Sequence, residues 1–182
     1  MALLSPTQSL VLVIDIQERL APVIHDVDGV VSRTGVLLQA AQHLDVPALA
    51  FEQYSRGLGA TLPALARYIS NEAVIEKMAF SVATMPSVLT RLAATSRTQI
   101  VIAGMEAHVC VLQSAFGLKE AGYEVHVVAD AVGSRRARDV DLAFSRLRME
   151  GIGITNCEMV VYEWMRHAEM PHFKTLSRLL RD

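Results

Sequence analysis

The stretch Leu10-Val11-Leu12-Val13-Ile14, closed at once by Asp15, decides the fold. It has the length of a strand and is apolar at every position, as a parallel strand buried on both faces should be. Three further runs share this character: Pro47-Ala48-Leu49-Ala50-Phe51, Gln99-Ile100-Val101-Ile102-Ala103 and Val125-His126-Val127-Val128-Ala129. Two weaker runs, Ala73-Val74-Ile75 and Glu158-Met159-Val160-Val161-Tyr162, complete the expected sheet. Helical patterns separate most of them. Val36, Leu37, Ala40, Ala41 and Leu44 recur at helical spacing, as do Val111, Ala115 and Leu118 ahead of a stop at Gly122. Leu142, Phe144, Leu147 and Met149 form another apolar helix, with Asp139 and Asp141 placed well for its N-terminal dipole. His172 to Leu180 reads as a closing amphipathic helix. Alternating strands and helices with short links predict a doubly wound, mainly parallel six-stranded sheet in a three-layer α/β/α sandwich.

Composition sets the bounds. A chain of 182 residues is long enough for one core and short for two, so one domain over residues 1–182 is expected. With 52% hydrophobic and 20% charged residues, disorder is excluded. A net charge of −2 offers no broad basic field, which argues against a nucleic-acid partner. Two cysteines are too few for a disulfide framework and fit a reducing compartment. Met1 to Leu10 carries no Lys or Arg, and no apolar stretch approaches the roughly 18 residues of a membrane span. A cytoplasmic protein that does not enter membranes is the expectation. Aromatics at only 5% suggest Ala/Val/Leu-rich layers, with some apolar surface buried between subunits.

Ligands of open parallel sheets bind beyond the carboxyl ends of the strands. The polar residues that follow the apolar runs are therefore the candidates. Asp15 follows the first, Glu52-Gln53-Tyr54 the second, Glu76-Lys77 the third and Asp130 the fifth. The fourth leads into Gly104-Met105-Glu106-Ala107-His108-Val109-Cys110, where Cys110 opens a helix. An ordinary thiol, with a pKa of about 8.5, is only a few per cent thiolate at neutral pH. A helix N-terminus and a neighbouring Lys77 would lower that value; alternatively, Asp15 would accept the thiol proton as a general base. Lys77 would keep the carboxylate charged in a buried setting. Each residue also has a plainer reading: Asp15 as a helix cap, Lys77 as a solvated cation, Cys110 as a small core side chain.

Val13-Ile14-Asp15-Ile16-Gln17, Glu76-Lys77-Met78-Ala79-Phe80-Ser81 and Gly104 to Val111, in that order, resemble the isochorismatase-like (cysteine hydrolase) superfamily. The resemblance extends to Gly57-Leu58-Gly59, Asp130-Ala131-Val132-Gly133-Ser134-Arg135 and Phe173-Lys174-Thr175-Leu176-Ser177, and is nearest to small stand-alone members of largely unassigned substrate. It implies a catalytic triad of Cys110 as nucleophile, Asp15 as base and Lys77 as charge partner. It also implies a cis peptide at Met105-Glu106 and an oxyanion hole from the main-chain N–H groups of Glu106 and Cys110. Gln17, Gln53, Tyr54 and Phe80 are the implied substrate-binding candidates. Nicotinamidases of this superfamily carry an Asp-x-His metal cluster after the second strand. Here Phe51-Glu52-Gln53-Tyr54-Ser55-Arg56 has no His, so no metal is expected. No Gly-x-Gly-x-x-Gly or P-loop is present, and no other cofactor is expected.

The function this implies is cysteine-dependent hydrolysis of a small amide-like substrate by a homo-oligomer. Two alternatives remain: a catalytically silent interaction protein of the same fold, and thiol redox work, which lacks a nearby resolving cysteine. His108, His126, His167, His172 and Cys157 read as packing or solvated residues, and Arg135-Arg136-Ala137-Arg138 as a solvated approach to a helix.

Overall fold

Strands β1 (Ser9–Ile14) and β4 (Gln99–Met105) are buried along their whole length and pair in parallel, Val11 opposite Val101 and Ile14 opposite Gly104. Around them the computed structural model, which describes residues 2–181, places β2 (Ala48–Gln53), β3 (Val74–Lys77), β5 (Glu124–Gly133) and β6 (Gly153–Thr155). The order is β3-β2-β1-β4-β5-β6, and every pairing is parallel. Met1 and Asp182, which the one-domain expectation also takes in, lie outside the described residues.

The helices are α1 (Val27–His43), α2 (Ser55–Leu58), α3 (Pro63–Ala66), α4 (Pro86–Ala94), α5 (Leu112–Glu120), α6 (Ala137–Met149), α7 (Cys157–Met165) and α8 (Phe173–Leu179). α1 packs with α3 and α7, while α5 packs with α6, giving a three-layer α/β/α sandwich. One cluster of buried apolar side chains runs through it, from Leu4 to Leu180. Continuous apolar runs predict the central strands well, because both faces of each are covered.

Three local readings change. Glu158 to Tyr162 is helix, not strand: it lies within α7, and the last strand is the shorter β6. The buried residues Cys157, Val160, Val161, Trp164 and Met165 recur at helical spacing. Asn156 caps the helix by accepting from the Met159 N–H at 2.7 Å, and the Asp130 carboxylate accepts from the Cys157 N–H at 2.8 Å. Second, β5 does not stop at Asp130. After a register shift against β4 it runs on to Gly133, pairing Val132 with Gly104 and Gly133 with Met105. Third, the entry to α5 is a π-helical turn over Ala107–Val111 that carries Cys110; such turns are frequent at functional sites.

Gly104 permits the closest approach in the centre of the sheet. A Cβ there would lie 2.5 Å from the Ile14 carbonyl oxygen and 3.1 Å from Val111 Cγ2. Gly104→Ala is therefore expected to destabilise the protein by about 1–3 kcal/mol through forced backbone movement. Urea unfolding measures this directly, and an unchanged midpoint would show that the strands yield without cost.

Candidate active site

The strand order reverses between β1 and β4, and there the chain turns sharply. Asp15 (φ 57°), Tyr54 (φ 42°) and Glu106 (φ 60°) are left-handed non-glycine residues, each one position beyond the end of β1, β2 and β4 respectively. Such a conformation costs an L-residue roughly 1–2 kcal/mol; Asp26, Asp45, Ser96, Arg166 and His172 also have positive φ, away from these strand ends. The Met105-Glu106 bond is trans, as are the other peptide bonds among the described residues. The expected cis link is therefore not found; Glu106, with φ and ψ both 60°, is the residue at which β4 passes into the segment bearing Cys110.

Lys77 ends β3 two strands away, yet its side chain reaches Asp15. Lys77 Nζ donates to Asp15 Oδ2 at 2.9 Å, with the two side chains 0% and 1% exposed. The same ammonium donates to Gln53 Oε1 at 2.7 Å and approaches the Ala79 carbonyl at 3.4 Å. Gln53 stands beside Lys77 in the β2–β3 register and passes its own amide hydrogen to the Met78 carbonyl at 2.9 Å. It therefore braces the lysine.

Cys110 is 4% exposed, and its thiol interacts with both the carboxyl and the ammonium. Burial pushes the Cys110 thiol up to about 12; the Asp15 charge adds to this and Lys77 opposes it. Burial likewise raises the Asp15 carboxyl above its ordinary 3.8, against the lowering effects of Lys77, the thiol and a main-chain bond at Gln53. Asp15 Oδ1 is buried without a well-formed hydrogen bond. The thiol is near enough to perturb the acid without satisfying this oxygen. Of the two activation routes open from sequence, a lowered thiol pKa is not what this environment produces. It favours a neutral thiol beside a carboxylate whose basicity exceeds that of a free aspartate.

The other sequence candidates fall in different places. The Gln17 carboxamide is spent on the main chain: Nε2 donates to the Gln53 and Gly59 carbonyls at 3.1 and 2.7 Å, and Oε1 accepts from the Gln53 N–H at 2.8 Å. Tyr54 is 48% exposed and lines a cavity of about 650 Å³ with Arg56, Lys77, Met78 and Met85. Of the ion pair only Lys77 reaches that cavity; Asp15 and Cys110 do not line it. Phe80 is 51% exposed nearby, outside the lining. His126 is buried, 3.4 Å from Glu124, and Cys157 is fully buried in the core. Among the described residues, no group of three or more His, Cys, Asp or Glu is arranged to hold a metal ion.

Residues that sequence reading had set aside appear at the Cys110 turn. Arg135 grips the Glu106 carboxylate with two nitrogens, Nε at 3.2 Å and Nη2 at 3.1 Å. One residue earlier, the Ser134 hydroxyl lies 3.0 Å from His108 Nδ1. Their presence in the Asp130–Arg135 motif was the available signal. Its meaning depended on β5 running past Asp130.

A parallel α/β/α sandwich with a thiol, an acid and an amine meeting at its switch point has the isochorismatase-family hydrolase fold. Residues 9–159 match the isochorismatase domain, and the chain belongs to that family. It is 37% identical over 177 residues to isochorismatase domain-containing protein 2 of Danio rerio, covering 97% of this chain and 89% of the relative. The solved MAR1 ribonuclease of Caenorhabditis elegans is 33% identical, with a TM-score of 0.93, over 100% of this chain and 93% of that one. YcaC of Escherichia coli, described as an octameric hydrolase of unknown specificity, shares the fold at 22% identity, with a TM-score of 0.87, over 100% and 96% of the two chains. No helix among the described residues is long and apolar enough to cross a membrane.

Proposed function

We propose that the chain is a cysteine-dependent hydrolase that cleaves the C–N bond of a small amide-like substrate through Cys110, Asp15 and Lys77. The observation that carries this reading is the buried Lys77–Asp15 pair at 2.9 Å in electrostatic reach of the Cys110 thiol. As the sulfur attacks the carbonyl carbon, its proton passes to Asp15 and the C–S bond forms. Negative charge gathers on the carbonyl oxygen, which takes hydrogen bonds from the main-chain N–H groups of Glu106 and Cys110. The C–N bond then breaks, Asp15 returns the proton to nitrogen, and the amine or ammonia leaves. Water next adds to the thioester while Asp15 accepts its proton. The C–S bond breaks, the acid departs and the thiol is restored. Lys77 holds the carboxylate in place throughout, with Gln53 behind it. Tyr54 and Phe80, both about half exposed, are the side chains proposed to meet the substrate body, and Gln17 supports the loop beneath.

A small-molecule substrate, no nucleic acid, no cofactor and a cytoplasmic homo-oligomer complete the proposal. The octameric description of YcaC supports assembly. The Caenorhabditis neighbour is named a ribonuclease; the net charge of −2 gives no overall basic field to favour a phosphate backbone here. The deciding experiment incubates the protein with a panel of small primary amides and with RNA. It follows ammonia release, nucleotide release and the mass of the Cys110 peptide, with Cys110→Ser as control. Ammonia release with an acyl adduct on Cys110 is the expected outcome. A panel left intact with Cys110 unmodified would favour a silent interaction protein, and cleavage of RNA alone would overturn the amide reading.

A further inference from the structure

The Cys110 turn is clamped from outside by a part of the chain that takes no role in the proposed chemistry. β5 runs beside β4 as far as the Met105–Gly133 pair, so Ser134 and Arg135 emerge alongside Glu106 and His108. Two ties cross the gap: the two-pronged Arg135–Glu106 pair at 3.2 and 3.1 Å, and Ser134–His108 at 3.0 Å. They hold the first and third residues of the turn. Glu106 is the pivot, because its carbonyl accepts from the Val109 N–H at 2.9 Å and the Val111 N–H at 3.4 Å. Its carboxylate is 12% exposed, whereas the Arg135 side chain is 58% exposed and reaches in from solvent. A paired guanidinium fork fixes direction as well as distance.

We infer that Arg135, assisted by Ser134, is a positioning residue that holds the Glu106–Cys110 turn with its main-chain N–H groups aimed at the oxygen of the reacting carbonyl. The inference rests on the proposed role of Cys110. It predicts that loss of the clamp harms reactions that build charge on a carbonyl oxygen and spares reactions of the sulfur alone.

Two reagents separate these cases on the intact protein. In acylation by p-nitrophenyl acetate, the sulfur adds to the carbonyl, the thiol proton passes to Asp15 and p-nitrophenolate leaves. Alkylation by iodoacetamide displaces iodide at a saturated carbon and forms no oxyanion. Arg135→Ala is expected to slow acylation about tenfold to a hundredfold, short of the 10²–10³ seen when an oxyanion donor is removed outright. Alkylation should stay within about twofold. Arg135→Lys, which keeps the charge and loses the fork, should fall between wild type and Ala. Ser134→Ala removes only the second tie and serves if Arg135→Ala folds poorly. Parallel loss of both rates, or loss of neither, would overturn the inference while leaving the amidase reading standing. Arg135-dependent acylation in a protein that cleaves no amide would retain the inference and discard that reading. A wild-type Cys110 that accepts no acyl group would remove both.

Discussion

Asp15→Asn is expected to lower hydrolysis by about 10²–10⁴-fold, the usual contribution of a positioned general base, while making Cys110 more reactive towards alkylating agents. The two changes have opposite signs for one reason. Burial holds the Cys110 thiol near 12, and the Asp15 charge is the next contribution in the same direction. Removing that charge lowers the thiol pKa and leaves Lys77 beside the sulfur to favour the anion. The variant therefore forms more thiolate at neutral pH, yet has no group to carry the proton to the departing nitrogen. The test is the pH dependence of iodoacetamide alkylation together with amide turnover. In the wild type, alkylation should still be climbing above pH 10; in Asp15→Asn the curve should move to lower pH. Retained turnover, or an alkylation curve that does not move, would contradict Asp15 as the base.

Lys77→Met should destabilise the protein by about 3–5 kcal/mol, the range for breaking a buried ion pair by removing one partner. The side chain is wholly buried, and its loss leaves Asp15 with no opposing charge. The folded-state pKa of Asp15 already exceeds 3.8, and Lys77 is the strongest influence holding it down. Without Lys77 it rises further, so the folded protein retains a proton that the unfolded chain releases. Stability falls as pH rises wherever the folded state binds more protons. The deficit should thus be small near pH 3, below the ordinary 3.8, where Asp15 is mostly protonated in both states, and largest at pH 8. Urea unfolding at the two values measures it. Pairing the change with Asp15→Leu should recover most of the loss, and a deficit independent of pH would show that lost packing around the lysine stem accounts for it.

How much of this the amino acids announce differs from residue to residue. β1 and β4 were legible because both faces of a central parallel strand are buried, so the run stays apolar until Asp15 or the Glu106 turn interrupts it. Those interruptions also located the sheet edge where Asp15, Lys77 and Cys110 meet. α7 was misread because Val160-Val161 is β-branched and short, although Asn156 offered a helix cap. The left-handed turns were invisible: no glycine occupies Asp15, Tyr54 or Glu106, and a strained dihedral at other residues leaves no compositional trace. Spacing cannot say that the Gln17 amide is engaged by backbone and the Gln53 amide by Lys77. The protonation of Cys110 also lay beyond spacing, because it depends on how deeply the sulfur is buried and which way Asp15 faces.

The withheld thiolate has one more effect. Peroxide, disulfides and stray electrophiles attack ionised sulfur, and a cysteine that gives up its proton only to an adjacent acid during attack presents little of that form to them. Under the proposed mechanism Cys110 would thereby be guarded against oxidative damage between turnovers, and for the same reason be poorly suited to sensing oxidants.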